Sequence, residues 1–253
     1  MPQNAGTVRR YSGINVLILW AEVVAKGYAS QRWLTYRQAE AEGGNVRRGE
    51  KGTVICYADR FTPKAEAEAA RGEDREARQV AFLKRFVLFN VDQCEGLPDE
   101  YIAPMVGPDP VLAIADADAL IAATGARVQI GGGEAFYSPS HDFVQVPPQA
   151  AFYEPVNWYR TVLHELSHWV GHSSRLGRDQ TGGFGSEAYA KEELVAEMAA
   201  AFTCASLGIT PTVRHSDYIA SWLSVLQGDD KAIFRAASQA SKASDFLLAF
   251  AER

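Results

Sequence analysis

Apolar residues recur at helical spacing in some stretches of the chain and alternate with polar residues in others. The segment NVLILWAEVVAKGY predicts a helix that ends at Gly27, and WLTYRQAEAEGG predicts a second helix that ends at its glycine pair. The segments TVICYADRF and AFLKRFVLFNV have the β-branched and aromatic composition of strands. Residues 63–79, between those strands, offer almost nothing to bury and predict a solvated, mobile excursion.

Prolines and glycines are concentrated in EGLPDEYIAPMVGPDP, which predicts a linker. We therefore expect a first domain at 1–95, a linker at 96–110 and a second domain at 111–253. In the second domain, ADADALIAATG predicts a helix, and RVQI, AFYS and FVQVP predict short strands. Helices follow in LHELSHWVGH and in SEAYAKEELVAEMAAAFTCASLG, where Ser186 is the expected N-cap; HSDYIASWLSVLQ and most of the remaining chain also have a helical pattern. These elements predict two domains of the α+β class.

The charge is unevenly distributed between these two parts. Residues 1–95 contain 15 Lys and Arg against 12 Asp and Glu, a balance of +3, and the remainder contains 10 against 19, a balance of −9. The basic part is therefore the one expected to face a polyanion. The three cysteines are scattered without a C-x-x-C pair, which disfavours a disulfide framework and a cysteine zinc site and favours a reducing cytoplasm.

Two arginines followed by an apolar run, in RRYSGINVLILWAEVV, imitate a secretory signal. Asn15 interrupts the run and Glu22 ends it, and residues 14–24 are too few to span a bilayer. The stretch therefore predicts a buried helix rather than export or a membrane anchor.

The segment LHELSHWVGH contains the strongest chemical motif. His164 and His168 are four residues apart, so one helix face can direct both imidazoles at one metal ion. Glu165 lies roughly 100° around the helix from His164, close enough to take a proton from a water molecule at the metal. This is the H-E-x-x-H arrangement of zinc peptidases.

His172 continues the four-residue spacing but should lie about 9 Å further along the helix axis, beyond the reach of its imidazole. It would become a ligand only if the chain turned back at Gly171. The metzincin pattern that makes such a turn requires histidine at position 174, where this chain has Ser174. We therefore expect a polar role for His172, either at the helix end or in support of a metal ligand.

The segment KEELVAEM offers a third ligand. Glu193 and Glu197 share one helix face beside an apolar stripe, whereas Glu192 is expected on the outer side. We assign Glu193 as the third ligand and Glu197 as the partner that orients a ligating imidazole. The alternative is that these glutamates form a solvated helix face. Zinc is the first expectation for the ion, and manganese or another divalent ion also suits these donors.

Such a site predicts hydrolysis of a peptide bond, in which Glu165 accepts a proton and later returns it to the leaving amine. The segment FVQVP is expected to be an edge strand that pairs with an extended peptide, whose identity the sequence leaves open. The residue that stabilises the oxyanion is also open, and the candidates are Tyr153, Tyr189, His141 and His215.

Three segments together resemble the ArdC-type antirestriction proteins of conjugative plasmids: SGINVLILW…RWLTYRQAEAEGGNVRRGEKGT, HELSHWVGHSSRLGRD and FGSEAYAKEELVAEMAAAFTCASLGI. The resemblance covers most of the chain. It implies an N-terminal domain that binds single-stranded DNA, similar to one in plasmid conjugation primases, and a C-terminal zincin-like metallopeptidase domain of the glutamate-zincin type. Such proteins protect incoming plasmid DNA from restriction in a bacterial host. ELVAE also resembles the E-x-x-A-D/E segment of glutamate-zincins, which favours Glu193 over Glu192. Family members usually carry a further N-terminal segment, so part of the DNA-binding surface is expected to lie outside this chain.

Single-stranded DNA requires cations for its phosphates and aromatic rings for its bases. The candidates in the first domain are Arg9, Arg10, Arg32, Trp33, Tyr36, Arg37, Arg47, Arg48 and Lys51. The alternative is that Trp33 or Tyr36 belongs to the core and the arginines are ordinary surface residues. At the level of the whole protein, the alternative to an enzyme is a DNA-binding protein whose zincin domain is catalytically idle or structural.

Overall fold

The computed structural model describes residues 1–72, 75–102, 110–183, 185–211 and 225–251. Contacts divide the chain into two compact units, one formed mainly by residues 15–105 with 2–11, and the other mainly by residues 106–253 with 12–14. Most of the predicted helix HSDYIASWLSVLQ, including His215, lies outside the described residues. No helix in the described ranges is long and apolar enough to cross a bilayer.

The first unit combines short helices with two small sheets. A four-stranded sheet has the order β1-β2-β5-β4, in which β1 runs parallel to β2 and the other neighbours are antiparallel, and β3 pairs with β6. Helix α1 packs Leu19 against Trp33, Ile55 and Leu88 to form one core cluster. The elements are β1 Gln3–Asn4, α1 Ile14–Lys26, β2 Arg32–Leu34, α2 Tyr36–Ala41, β3 Asn45–Val46, β4 Thr53–Phe61, α3 Lys64–Gly72, β5 Val80–Asn90, β6 Cys94–Glu95 and α4 Asp99–Ile102.

The second predicted helix begins later than its apolar pattern indicated. Trp33 and Leu34 belong to strand β2, and α2 begins at Tyr36. The reason is the capping box: the Thr35 hydroxyl accepts a hydrogen bond from the Gln38 N–H, and the Gln38 side chain accepts one from the Thr35 N–H. Thr35 has an extended backbone conformation, so the two residues before it continue as a strand.

Two further segments of the first unit differ from their predicted state. Residues 64–72, predicted as a mobile excursion, form α3, whose alanines favour a helix. An exposed ion pair of 2.6 Å joins Glu66 in this helix to Arg75 after it. Within the predicted linker, Leu97 is buried and Tyr101 packs against the same cluster as Leu34 and Val91. The proline-rich composition therefore conceals a segment that adds to the core of the first unit.

The second unit places helices against a three-stranded sheet of order β7-β9-β8. The expectation that FVQVP forms an edge strand is wrong, because β9 pairs in parallel with β7 on one side and antiparallel with β8 on the other. Val144 and Val146 of β9 are fully buried, as befits a central strand. The elements are α5 Pro110–Ala123, β7 Arg127–Ile130, β8 Phe136–Ser138, β9 Phe143–Val146, α6 Pro155–Val170, α7 Glu187–Ser206 and α8 Ala232–Leu248.

Helix α7 packs against both α6 and α8. Its fully buried Ala196 and Ala199 have short side chains, which allow neighbouring helices to approach closely. The predicted N-cap of α7 is confirmed, since the Ser186 hydroxyl accepts a hydrogen bond from the Tyr189 N–H at 3.1 Å. These contacts fix the histidine-bearing helix α6 against the glutamate-bearing helix α7.

Candidate metal centre

The imidazoles of His164 and His168 on α6 and the carboxylate of Glu193 on α7 converge on one point. Glu193 Oε2 lies 3.4 Å from His164 Nε2, and Glu193 Oε1 lies 3.4 Å from His168 Nε2. A tetrahedral zinc ion with bonds of about 2.0–2.1 Å holds neighbouring donor atoms about 3.4 Å apart. The Glu193 carboxylate therefore lies at the distance from each histidine that a shared divalent cation requires, and the donor atoms of the three side chains lie within 4.8 Å of one another.

Glu197 lies one turn beyond Glu193 on α7 and contacts the other nitrogen of the first histidine. Its Oε2 is 3.0 Å from His164 Nδ1, and the His164 side chain is only 3% exposed. A carboxylate at this nitrogen fixes the tautomer and the ring orientation, which leaves Nε2 directed at the convergence point. The structure thus places Glu197 where an orienting partner must lie.

Glu192 was predicted on the outer side of α7, and that prediction is wrong. The residue is 8% exposed, and its Oε1 lies 3.1 Å from His168 Nδ1. Arg178 clamps the same carboxylate with two hydrogen bonds, from Nε to Oε2 at 2.9 Å and from Nη2 to Oε1 at 2.6 Å. Gln180 Nε2 donates to Glu192 Oε1 at 3.2 Å and to the His168 carbonyl at 2.7 Å. Each histidine thus has a carboxylate of its own at Nδ1.

The chain after α6 is what brings Arg178 and Gln180 to this carboxylate. A Cβ atom at Gly171 would lie 2.7 Å from Arg178 Nη2 and 2.7 Å from Gln180 Nε2, so the side chains occupy the space that glycine leaves. Helical periodicity alone could not identify Glu192, because its partners lie in an irregular loop. The signal available in the sequence was that Glu192 and Glu193 are consecutive acidic residues on the helix that follows the histidine motif.

The carboxylates change the proton affinity of both imidazoles. Burial opposes a positive charge on His168, but hydrogen bonds to Glu192 and Glu193 outweigh it and raise its pKa to about 10. Burial likewise opposes a charge on His164, and hydrogen bonds to Glu193 and Glu197 raise its pKa nonetheless. The pKa of Glu193 is lowered, although burial alone would raise it, because both imidazoles hydrogen-bond to its carboxylate. The pocket therefore favours positive charge at the convergence point, which suits a cation.

Glu165 lies on the wall of a cavity of about 320 Å³ that also exposes the three donor residues. Its side chain is buried, at 5% exposure. Phe136 and Tyr137 of strand β8 also line this cavity. A carboxylate in this position borders both the donor atoms and the open volume, where a bound substrate and a water molecule would meet.

Of the oxyanion candidates within the described residues, only Tyr189 lines this cavity. Tyr153 is fully exposed. His141 is exposed and its Nδ1 lies 3.0 Å from the Ser140 hydroxyl in the turn before β9. His172 Nδ1 contacts the Ser174 hydroxyl at 2.8 Å beyond the end of α6, which is a polar helix-end position away from the donor cluster.

Several of the candidate DNA-binding residues have structural contacts instead. Trp33 is fully buried, so the expectation that it stacks on bases is wrong. The Arg32 guanidinium donates to two backbone carbonyls of α4, at 2.6 and 3.1 Å. Arg47 donates to the carbonyls of Asp92 at 2.5 Å and Cys94 at 3.3 Å. The candidates with exposed side chains are Arg9, Arg10, Tyr36, Arg37, Arg47, Arg48 and Lys51.

Replacing Glu192 with glutamine is expected to weaken divalent metal binding by about 10–100-fold, the usual effect of losing a partner that orients a ligand. The amide cannot accept both the His168 and the Arg178 hydrogen bonds with full charge, so the imidazole loses its fixed orientation. Calorimetric titration of the full chain with Zn²⁺ and Mn²⁺ measures the change. Glu187→Gln, at the exposed start of the same helix, is the matched control and should bind metal as the unchanged protein does; equal affinities for all three proteins would contradict the role of Glu192.

Comparison with known families divides the chain as its contacts do. A family model described as the N-terminal domain of anti-restriction factor ArdC matches residues 1–89. A second model, described as a zincin-like metallopeptidase, matches residues 115–239. The second match contains His164 and His168 and the four glutamates of the site, Glu165, Glu192, Glu193 and Glu197.

Relatives of known sequence and structure extend these matches over the whole chain. The chain is 40% identical to the DNA primase TraC of Escherichia coli, of which it spans 24%, and 40% identical to the uncharacterized protein y4eC of Sinorhizobium fredii, of which it spans 80%. The metal-free crystal structure of the antirestriction ArdC protein from plasmid R388 superposes with a TM-score of 0.83 at 38% identity, over 100% of this chain and 89% of that one. The Mn(II)-bound structure gives 0.81 at 37% identity, over 99% and 88%.

Proposed function

The chain belongs to the family of ArdC-type antirestriction proteins, and from this membership we propose that it binds single-stranded DNA and hydrolyses a peptide bond with a divalent metal ion. The combined activity would protect plasmid DNA that enters a bacterial cytoplasm during conjugation. The observation that carries the peptidase half is the Glu193 carboxylate, which lies 3.4 Å from one nitrogen of each motif histidine.

The donors that would hold the ion are His164 Nε2, His168 Nε2 and the Glu193 carboxylate. Two imidazoles and one carboxylate are accepted by zinc, manganese and other divalent ions, and the R388 relative has a Mn(II)-bound structure. The 3.4 Å distance from the Glu193 carboxylate to each histidine Nε2 and the carboxylates around both imidazoles support a cation at this point. When bound, such an ion supplies Lewis acidity that activates water and polarises a carbonyl.

Glu165 is the residue we assign to proton transfer. It follows His164 on α6, borders the same cavity as the donor atoms and is almost fully buried. Its carboxylate accepts a proton from the attacking water and donates it to the amine that leaves. Tyr189, on the cavity wall, is the candidate donor to the oxyanion.

Strand β8 is the edge of the three-stranded sheet on the side of the cavity. An extended peptide can add to such an edge through backbone hydrogen bonds. Tyr137 on this strand is held in place, because its hydroxyl donates to Asp142 at 2.8 Å and lies 3.3 Å from Arg175 Nη2. We therefore assign to β8 the pairing with an extended peptide that the sequence predicted for β9.

A comparison of host cells that carry the wild type or the Glu165→Gln variant tests the peptidase proposal. New protein N-termini that appear only with the wild type would identify the substrate, and transfer of unmodified plasmid into a restricting host would measure protection. If the variant protects fully and no cleavage products differ, the zincin unit is idle and DNA binding alone accounts for protection. Arg48→Ala is the companion variant for the DNA half, since Arg48 is exposed and, unlike Arg47, has no described role in supporting loop carbonyls.

Affinity for single-stranded DNA is expected to fall steeply with salt and to be unaffected by chelators. Each phosphate that a cation neutralises contributes about −0.7 to the slope of log affinity against log salt concentration for a single strand. The Arg48→Ala variant should therefore have a slope shallower by about 0.7. Fluorescence anisotropy with a labelled oligonucleotide, repeated with a chelator, measures both; affinity that ignores ionic strength would contradict the electrostatic contribution.

A further inference from the structure

The β4–β5 hairpin extends well beyond the core of the first unit. Its strands pair continuously from Thr53↔Leu88 to Phe61↔Val80. Residues opposite each other in an antiparallel pair point to the same face, and successive residues alternate between faces. At the base of the hairpin, one face buries Ile55 and Leu88 in the core. The same face continues outward past the point where the core ends.

Four aromatic side chains occupy that outer part of the face: Tyr57, Phe61, Phe82 and Phe86, which we call the aromatic strip. Their rings follow one another at centroid distances of 6.5 Å from Phe86 to Tyr57, 6.1 Å from Tyr57 to Phe82 and 5.9 Å from Phe82 to Phe61. Tyr57, Phe61 and Phe86 are 44%, 50% and 43% exposed. A contiguous exposed patch of this kind indicates a binding surface.

Charged side chains lie beside the aromatic strip. Lys84 lies opposite Tyr57 on the same face, with its Nζ 5.2 Å from the centroid of the Phe82 ring. Asp59, opposite Phe82, is the carboxylate on this face, whereas Arg60 and Arg85 lie on the opposite face and give the two strands together an excess of positive charge. The Asp59 carboxylate accepts hydrogen bonds from the Tyr57 hydroxyl at 2.6 Å and from the Arg60 N–H at 2.7 Å, so it also holds the Tyr57 ring in the strip.

We propose that the aromatic strip is the platform on which the first unit binds single-stranded DNA, with bases stacked on the rings and phosphates beside Lys84. The inference rests on the proposed DNA-binding function and specifies its surface. Stacking suits unpaired bases because their faces are open, and it tolerates any sequence. An apolar protein surface would desolvate the Lys84 ammonium, whereas a phosphate adds an opposite charge beside it. None of the four strip residues is among the basic and aromatic residues predicted from the sequence.

Fluorescence anisotropy of the full chain with a labelled oligothymidine tests the strip. Phe61→Ala and Phe86→Ala should each weaken binding by about 5- to 150-fold, the range for loss of one stacked base. Leu83→Ala and Val54→Ala are the matched controls, because these residues are 66% and 47% exposed on the opposite face of the same strands. Both controls should bind the oligonucleotide as the wild type does. Thermal unfolding of every variant verifies that the hairpin remains folded.

Phe61→Leu separates stacking from apolar docking, since leucine keeps most of the apolar area but has no aromatic face. It should lose affinity for the oligonucleotide as Phe61→Ala does. If the wild type binds and the strip variants bind equally well, the strip is not the platform although the DNA-binding function stands. If the wild type does not bind oligothymidine, both proposals fail. If light scattering shows self-association that Phe61→Ala abolishes while DNA binding is unchanged, the face pairs with a second copy and the inference is overturned.

Discussion

Replacement of Glu165 by glutamine is expected to slow peptide hydrolysis by about 10²–10⁴-fold, the contribution of a positioned acid–base group. Glutamine has nearly the same shape and preserves the packing at this buried position, but it cannot accept the proton of the attacking water. Glu165 is not one of the three convergent donors, so metal affinity should be retained. The measurement is the rate of cleavage, by the metal-loaded full chain, of whichever host protein or peptide the wild type cuts.

Two controls make the Glu165 result specific. Glu154→Gln changes an exposed carboxylate at the N-cap of the same helix, where the side chain makes no capping hydrogen bond, and it should leave the rate unchanged. Calorimetry should give the same metal affinity for the Glu165 variant as for the wild type. A variant that loads metal and still cleaves at the wild-type rate would remove Glu165 from the mechanism.

The second large effect is expected at Glu193. Glu193→Gln removes the charge of the only carboxylate that lies beside both histidine Nε2 atoms among the described residues. Loss of this charge should reduce metal affinity more than loss of an orienting partner does, which is about 10–100-fold. Competition between the protein and a chromophoric chelator for Zn²⁺ or Mn²⁺ measures the affinity.

A more specific test of the third ligand is the order in which glutamate substitutions in α7 reduce metal affinity. Metal affinity should fall most in Glu193→Gln, less in Glu192→Gln and Glu197→Gln, and not in Glu187→Gln, whose residue is paired with Lys191 at the surface. Oligonucleotide binding by the first unit should remain unchanged in all four variants, and thermal unfolding verifies that the second unit remains folded. An affinity loss in Glu192→Gln that exceeds that in Glu193→Gln would reverse the assignment of the third ligand.

Helical periodicity was sufficient to predict which side chains could share a face. The four-residue spacing within each pair, His164 with His168 and Glu193 with Glu197, translates directly into geometry, and the structure brings their polar atoms together. Periodicity failed for Glu192, because its burial depends on Arg178, and the path of an irregular loop is not encoded by any repeat. A carboxylate that periodicity places on the outer side of a helix becomes buried when a cation from elsewhere compensates its charge.

The position of a strand within its sheet and the residue at which an element starts were also hard to predict, because both depend on contacts between residues distant in sequence. The composition of FVQVP indicates a strand but does not say how many neighbours it has, and pairing on both sides is a long-range property. Trp33 has an aromatic ring that could stack on bases. Only its position in β2, opposite Asn90, shows that its ring lies in the core. The sequence predicted the segments of the β4–β5 hairpin only as strands and did not indicate that their aromatic side chains are exposed.

The Nδ1 atoms of both histidines lie beside carboxylates from a single partner helix, α7. The two rings therefore do not have to be immobilised when an ion arrives, because their side-chain entropy has already been lost during folding. Most of the coordination energy can appear as affinity, and loading should proceed without a slow rearrangement of α6. An ion held by so rigid a frame should also exchange slowly with the solvent.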